Sequence, residues 1–325
     1  MRNRSIAGRE VSEIGLGCWQ IGADWGEIDH ETALDVLRTA HANGVTLFDT
    51  ADIYGAGRSE QLVGEFLTTL DTPVFVATKL GRAASPGWPQ NFTESVMRSH
   101  VEGSLERLGV EQIDLLQLHC VPTEVLQDGA IFDHLRGLRE SGLIRAFGAS
   151  IESIDQALIC LEQDGLESLQ LIFNLLRHDP RDQVFDAAAA RGVGLIIRLP
   201  LASGLLSGCY QADTTFAADD HRTYNRNGEA FNVGETFSGL PFEQGLQIVE
   251  TLRPLVPDSM TMAQFAQRWI LDHPAVSSVI TGVSRPEQAR RNAEVSDLPA
   301  LSDGLHAELS RIYDSQVRSQ IRGPV

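Results

Sequence analysis

A chain of 325 residues, 42% of them apolar, is long enough to bury a large core, and barrels of this size are commonly one domain, so residues 1–325 are read as a single unit. Its 26 basic and 44 acidic side chains leave a formal charge of −18, which repels phosphate backbones and anionic membrane surfaces; neither nucleic acid nor a membrane is an expected partner. Four cysteines (Cys18, Cys120, Cys160, Cys209) are scattered with no C-x-x-C pair, Met1 to Gly17 lacks a signal-type apolar run, and no stretch nears membrane-spanning length, so a reduced, cytoplasmic protein is expected.

Short apolar runs alternate with amphipathic segments along the chain. A first strand is expected near Ile14–Cys18. It is followed by 45–49 (VTLFD), 74–78 (VFVAT), 113–118 (IDLLQL), 144–149 (IRAFGA), 168–173 (SLQLIF), 193–198 (VGLIIR) and 276–280 (VSSVI). Such runs suit strands buried on both faces. Between them, Asp29 is placed to cap a helix carrying Ala33, Val36, Leu37 and Ala40 on one face and ending at Asn43-Gly44. Thr93 is placed to cap another, with Met97, Val101, Leu105 and Leu108 aligned and Gly109 at its end. Residues 127–141, 153–163, 181–191 and 261–272 continue the alternation. Eight βα units predict a closed (β/α)8 TIM barrel; a doubly wound sheet shares the pattern, which does not show closure. Residues 207–240, polar and rich in Asp, Asn, Arg and Gly, form a long loop after strand seven. They read as a lid at the mouth, with a disordered insertion as the alternative. Residues 302–317 predict an extra C-terminal helix.

In such a barrel the catalytic groups lie at the C-terminal ends of the strands. Strand two ends at Asp49, with Tyr54 just beyond; strands three, four and five end at Lys79, His119 and Ser150. Each alone reads as a cap or a packing residue, but four titratable groups from three consecutive strand ends are not easily a packing accident. Lys79 is the only lysine among the 26 basic residues. Arginine serves everywhere else, so the exception suggests a site needing a compact, tunable charge. An ammonium beside a phenol is expected to lower its pKa, and a carboxylate to hold the ammonium in place. Asp49 would fix Lys79, Lys79 would tune Tyr54, and His119 would bond the substrate oxygen. The set suits protonation of a carbonyl oxygen as hydride reaches its carbon. It contains no acyl-transfer pair and no obvious metal-ligand set.

The chain resembles the aldo-keto reductases over nearly its whole length. The resemblance is carried by Phe48-Asp49-Thr50-Ala51…Tyr54-Gly55, Gly57-Arg58-Ser59-Glu60…Gly64, Ala77-Thr78-Lys79, Ser104-Leu105…Leu108-Gly109…Ile113-Asp114-Leu115-Leu116…His119, Gly148-Ala149-Ser150, Gln170…Asn174, Pro200-Leu201…Gly204-Leu205-Leu206…Gly208 and Gly282…Ser284…Gln288…Asn292. The family's Asp, Tyr, Lys, His tetrad falls on Asp49, Tyr54, Lys79 and His119.

The resemblance implies a nicotinamide cofactor, NADP(H) favoured and NAD(H) not excluded, lying across the barrel mouth. It points to Ser150 and Gln170, with Trp19 and Asp49 nearby, at the carboxamide end. Arg198, Pro200, Leu201, Ser203, Gly204 and Leu206 would run along the pyrophosphate, and Gly282, Ser284, Gln288 and Asn292 would hold the adenosine end. Ser284 with Arg285, Arg290 or Arg291 would meet a 2′-phosphate at a helix N-terminus. Three departures stand out: Ile151 follows Ser150 where an Asn is familiar, Arg198 stands where many members have the aromatic that stacks under the nicotinamide, a place a planar guanidinium can also take, and Gly282 and Gln288 replace a familiar Lys and Arg. Trp25 and Trp88, in loops, are candidate walls for a small carbonyl or sugar substrate. The competing readings are an NADP(H)-sensing regulatory subunit with little turnover and an unrelated barrel hydrolase.

Overall fold

The barrel has a floor that the sequence pattern did not suggest. In this computed structural model, which describes residues 1–22 and 28–324, β1 (Asn3–Ile6) and β2 (Arg9–Ser12) pair antiparallel across a turn at Ala7 and Gly8. Both turn residues have positive φ. Ile6 and Val11 from this hairpin join Leu47, Phe75, Ala77, Leu115, Ala146, Ile196 and Ile280 in a small inner core. Most of these lie at or near the starts of their strands, so the hairpin stoppers the end opposite the strand C-termini.

Eight parallel strands follow: β3 (Ile14–Gly17), β4 (Leu47–Asp49), β5 (Phe75–Leu80), β6 (Ile113–His119), β7 (Ile144–Ser150), β8 (Leu166–Ile172), β9 (Gly194–Arg198) and β10 (Val276–Gly282). They neighbour one another in chain order, and β10 closes on β3 through Val279↔Ile14 and Gly282↔Gly17. This is the predicted closed barrel, and it rules out the doubly wound alternative. Lys79 lies inside β5, one residue before its end.

Helices cover the outside: α1 (His30–Ala42), α2 (Arg58–Leu67), α3 (Glu94–Leu108), α4 (Thr123–Asp128), α5 (Ala130–Glu140), α6 (Ile154–Leu161), α7 (Asp179–Gln183) and α8 (Phe185–Ala190). They continue with α9 (His221–Tyr224), α10 (Phe242–Leu252), α11 (Met262–Leu271), α12 (Pro286–Ala293) and α13 (Asp303–Ile312). The larger core lies between barrel and helices, where Phe48, Val63 and Phe66 pack with Val36, Leu37 and Ala40. Asp29 caps α1 as expected, accepting from the Thr32 amide at 2.9 Å. Thr93 occupies the N-cap position of α3, but its hydroxyl turns back to the Gln90 carbonyl and caps nothing.

The segment 207–240 is not structureless. It carries α9 and two 3-10 turns, Val233–Glu235 and Phe237–Gly239, and buries Asp220, His221, Asn225, Glu235, Thr236 and Ser238. Asn225 organises it: its carbonyl oxygen accepts from the amides of Ala230 and Phe231, and its NH2 donates to Thr236. The disordered alternative is thereby set aside. The C-terminal helix is α13, continued by a wider turn over Tyr313–Val317.

Candidate active site

The C-terminal strand ends surround a cavity of about 1180 Å³. β4 delivers Asp49 to its base. The chain then turns through Gly55 (φ 57°) and Ala56 (φ 53°), which puts Tyr54 over Asp49's neighbour Lys79. A Cβ on Gly55 would run into the Gly22 carbonyl, so only glycine lets this turn press against the segment after β3. The Lys79 ammonium, 1% exposed, pairs with Asp49 Oδ1 and donates to the Thr50 carbonyl at 2.8 Å and to the Tyr54 hydroxyl at 3.4 Å. His119 meets the Tyr54 ring edge-on at 5.7 Å, and Trp19 stacks on that ring at 5.7 Å.

The electrostatics differ from expectation at one point. Burial raises the Tyr54 pKa, the ammonium of Lys79 pulls it down, and the net direction is up rather than down. The phenol therefore keeps its proton at neutral pH. Burial works against the Lys79 charge, but Asp49 and Tyr54 outweigh it and raise its pKa. His119 is held well below its ordinary value, first by burial and then by Arg82, Lys79 and Arg198, so its imidazole is neutral.

A buried amide chain extends from the base. Asp49 Oδ2 accepts from Gln117 at 3.0 Å and Gln170 at 2.8 Å; Ser150 donates to Gln170 at 3.5 Å, and the Cys120 sulfur lies 3.6 Å from Ser150. Gln117 was absent from the sequence reading, although a glutamine in an otherwise apolar strand was the available sign. Arg82, Cys120, Glu152 and Glu235 were also missed. Arg82 pairs with Glu152 at 3.2 Å and Glu235 at 3.4 Å, and Arg198 lies 3.5 Å from Glu235. These residues come from three strand ends and the lid segment, a juxtaposition that linear spacing does not reveal. Cys120, Glu152 and Glu235 bring metal-ligand atoms within 4.8 Å of one another, but the two guanidinium groups already neutralise the carboxylates that a cation would need.

Of the residues expected near a cofactor, Trp19, Asp49, Ser150, Gln170, Arg198, Pro200, Leu201, Ser203, Gly204, Gly282, Ser284 and Gln288 line the cavity. Leu206 does not; its side chain packs into the outer core. Asn292 instead accepts from Gln267 of α11 at 3.0 Å. Gln288 caps α12, its oxygen accepting from the amides of Ser284 at 3.0 Å and Arg285 at 3.1 Å, so those amides are already engaged. Arg290 and Arg291 are tied to Glu287, and Arg290 also to Glu294, leaving Arg285 as the arginine of this trio on the cavity wall. The lid segment adds Tyr210, Arg222, Tyr224 and Phe231 to the lining. Trp88 does not line the cavity. It is 58% exposed, in a loop held by Asn91, whose side chain bonds Gly81, Ala83 and Gly87. Trp25 lies outside the described residues.

Two observations bear on whether this wall suits a polar cofactor. Gln20 Oε1 and Arg198 Nε are buried without a hydrogen-bond partner among the described residues, and both side chains line the cavity. Buried groups of this kind normally have partners, so a ligand offering a donor to one and an acceptor to the other fits the space. The Arg285 guanidinium on this wall suits an anionic ligand in a chain that is otherwise strongly acidic.

Comparison with known proteins agrees with this geometry. The sequence signature described as the Aldo/keto reductase family matches residues 13–314. Aldo-keto reductase YhdN of Bacillus subtilis is 30% identical over 308 residues, covering 91% of this chain and 89% of that protein. An uncharacterized oxidoreductase of Mycobacterium bovis is 33% identical over 300 residues, covering 89% of this chain and 85% of its own. Among solved structures, a glycerol dehydrogenase from Gluconobacter oxydans superposes with a TM-score of 0.78 at 28% identity, covering 98% of this chain and 97% of that one.

Proposed function

The chain belongs to the aldo/keto reductase family of oxidoreductases, and from that premise we propose that it exchanges hydride between a nicotinamide cofactor, NADP(H) favoured, and a small aldehyde, ketone or aldose, with Tyr54 as the proton donor. The observation that carries this reading is the buried Asp49–Lys79–Tyr54 contact with His119 against the phenol.

The cofactor supplies the hydride. The protein's own residues do the rest. The neutral imidazole of His119 orients the carbonyl oxygen toward the phenol. The Tyr54 hydroxyl gives its proton to that oxygen as negative charge develops there. Lys79 then stabilises the tyrosinate left behind, which is worth more in a site closed to water than at a surface. Asp49 keeps the ammonium charged and fixed, and Gln117 and Gln170 hold Asp49. Ser150 and Gln170 would hold the carboxamide. Ser284 and Arg285 would meet the adenosine end, which favours a 2′-phosphate over a bare ribose.

The test is purified protein with NADPH or NADH and a panel of aldehydes, ketones and aldoses, alongside Tyr54→Phe. Turnover is expected with the unmodified protein. The variant should lose it by about 10²–10⁴-fold while binding NADPH within about threefold of the parent. Wild-type turnover in Tyr54→Phe would remove the proposed acid. Tight NADPH binding with no turnover on any carbonyl would favour the sensor reading instead.

A further inference from the structure

Arg82, Glu235 and Arg198 line the cavity beside Tyr54 and His119, and with Glu152, paired to Arg82, they form a chain of alternating charge. Their origins differ: Arg82 follows β5, Glu152 follows β7, Arg198 ends β9, and Glu235 belongs to the lid segment. Arg198 is the member nearest the amide chain of the base. Its Nη2 reaches the Ile151 carbonyl at 3.2 Å and the Cys120 sulfur at 3.8 Å, and Cys120 in turn touches Ser150. Its side chain is 11% exposed and that of Glu235 is 6% exposed, so neither charge is well screened by water. The two carboxyls differ. Burial pushes both up, but Arg198 and Arg82 hold Glu235 below the usual carboxylate range, whereas Glu235 pushes Glu152 further up. Glu235 is thus the firm negative charge of the set.

A nicotinamide ring is neutral when reduced and positively charged when oxidised. A fixed cation on its wall therefore weakens the oxidised form relative to the reduced form, and a fixed anion does the opposite. An aromatic residue at position 198 would carry no such bias. We propose that Arg198 and Glu235 act as an opposed pair that sets the relative affinity of this protein for oxidised and reduced nicotinamide, with the lid segment supplying the negative member. This rests on the nicotinamide reading above. It assigns the pair a tuning role: neither residue is required to move the proton, and both act through the electrostatic potential at the ring.

The lid supplies that negative charge in a defined place. Ser203, itself on the cavity wall, donates to the Glu235 backbone carbonyl at 3.0 Å, and the Phe237 amide donates to Ser203 at 3.2 Å. Loss of the lid's position would therefore remove the carboxylate from Arg198, and with it the counterweight to the guanidinium.

The experiment is an equilibrium titration of the intact protein with NADPH and with NADP⁺, followed by tryptophan fluorescence, for the parent, Glu235→Gln and Arg198→Gln. The quantity read is the ratio of the two dissociation constants, oxidised over reduced. Glu235→Gln is expected to raise that ratio about tenfold and Arg198→Gln to lower it by a similar factor, the ordinary size of one partly buried charge interaction. A merely structural role would weaken both forms in proportion and leave the ratio unchanged, which would overturn the proposal. If Glu235→Gln loosens the lid, Arg198→Gln still reports, because it leaves the lid sequence intact; an unchanged ratio there is equally decisive. Failure of the parent to bind either form would overturn the nicotinamide reading and this inference with it, whereas binding with an unchanged ratio overturns this inference alone.

Discussion

At Lys79 the choice of an amine over a guanidinium has a steric ground. The ammonium sits in a closed space between Asp49, the Thr50 carbonyl and the Tyr54 hydroxyl, with three donors for three acceptors. A guanidinium is longer, planar and needs five partners. Lys79→Arg is therefore expected to lower kcat by at least about 100-fold with little change in NADPH affinity, measured by steady-state kinetics and fluorescence titration. Near-parental kcat would refute the special role of this lysine. The phenol makes a second prediction. Because burial holds Tyr54 above its free value of about 10, its proton stays on through neutral and mildly alkaline pH. The kcat for carbonyl reduction should be level from about pH 7 to about pH 9. A decline with an apparent pKa near neutrality would assign the proton to another group. Asp49, Tyr54, Lys79 and His119 were legible in the sequence because strand ends face one mouth. The Arg82–Glu235 and Arg198–Glu235 pairs were not, because nothing in a sequence tells where a long lid folds back.

Among the elements, the two threonine caps provide a controlled comparison. Thr261 accepts from the Gln264 amide at 3.2 Å, and the Gln264 side chain accepts from the Thr261 amide at 2.9 Å, a reciprocal cap on α11. Thr93 makes no such bond to α3. Thr261→Ala should cost about 1 kcal/mol in a urea unfolding series, and Thr93→Ala clearly less; equal losses would contradict the difference in geometry. The strands were readable to within a few residues because both their faces are apolar. The β1–β2 hairpin was not, since only Ile6 and Val11 face the core and arginines surround them. α2 was missed for a related reason: GRSEQ looks like a solvated loop, whereas the short helix expected after Ser284 is α12. The polar composition of 207–240 misled similarly, because its order comes from buried side-chain amides such as Asn225 rather than from an apolar stripe.

For the molecule as a whole, buried imidazoles set a limit on the acid side. His178 lies stacked between Tyr313 at 4.1 Å and Trp269 at 4.5 Å, and burial holds it well below its ordinary value. Burial likewise pushes His221 and His273 down to about 4. In each case the unfolded chain takes up a proton that the folded protein refuses, so their contribution is intact above about pH 6.5 and is lost as the pH falls from there toward the folded-state values. Thermal unfolding should show a midpoint that drops between about pH 6.5 and about pH 4.5, and His178→Phe, which keeps the stack but cannot titrate, should drop less steeply. An identical slope in that variant would place the acid sensitivity elsewhere.

One compositional oddity has a practical corollary. With a single ε-amine in the chain, and that one sealed beneath a tyrosine, reagents that acylate lysines find no side-chain target on the native fold. Gentle labelling should leave the lysine untouched, and the appearance of a tag on Lys79 on heating or at a given denaturant concentration would report directly on the opening of the barrel's chemical centre.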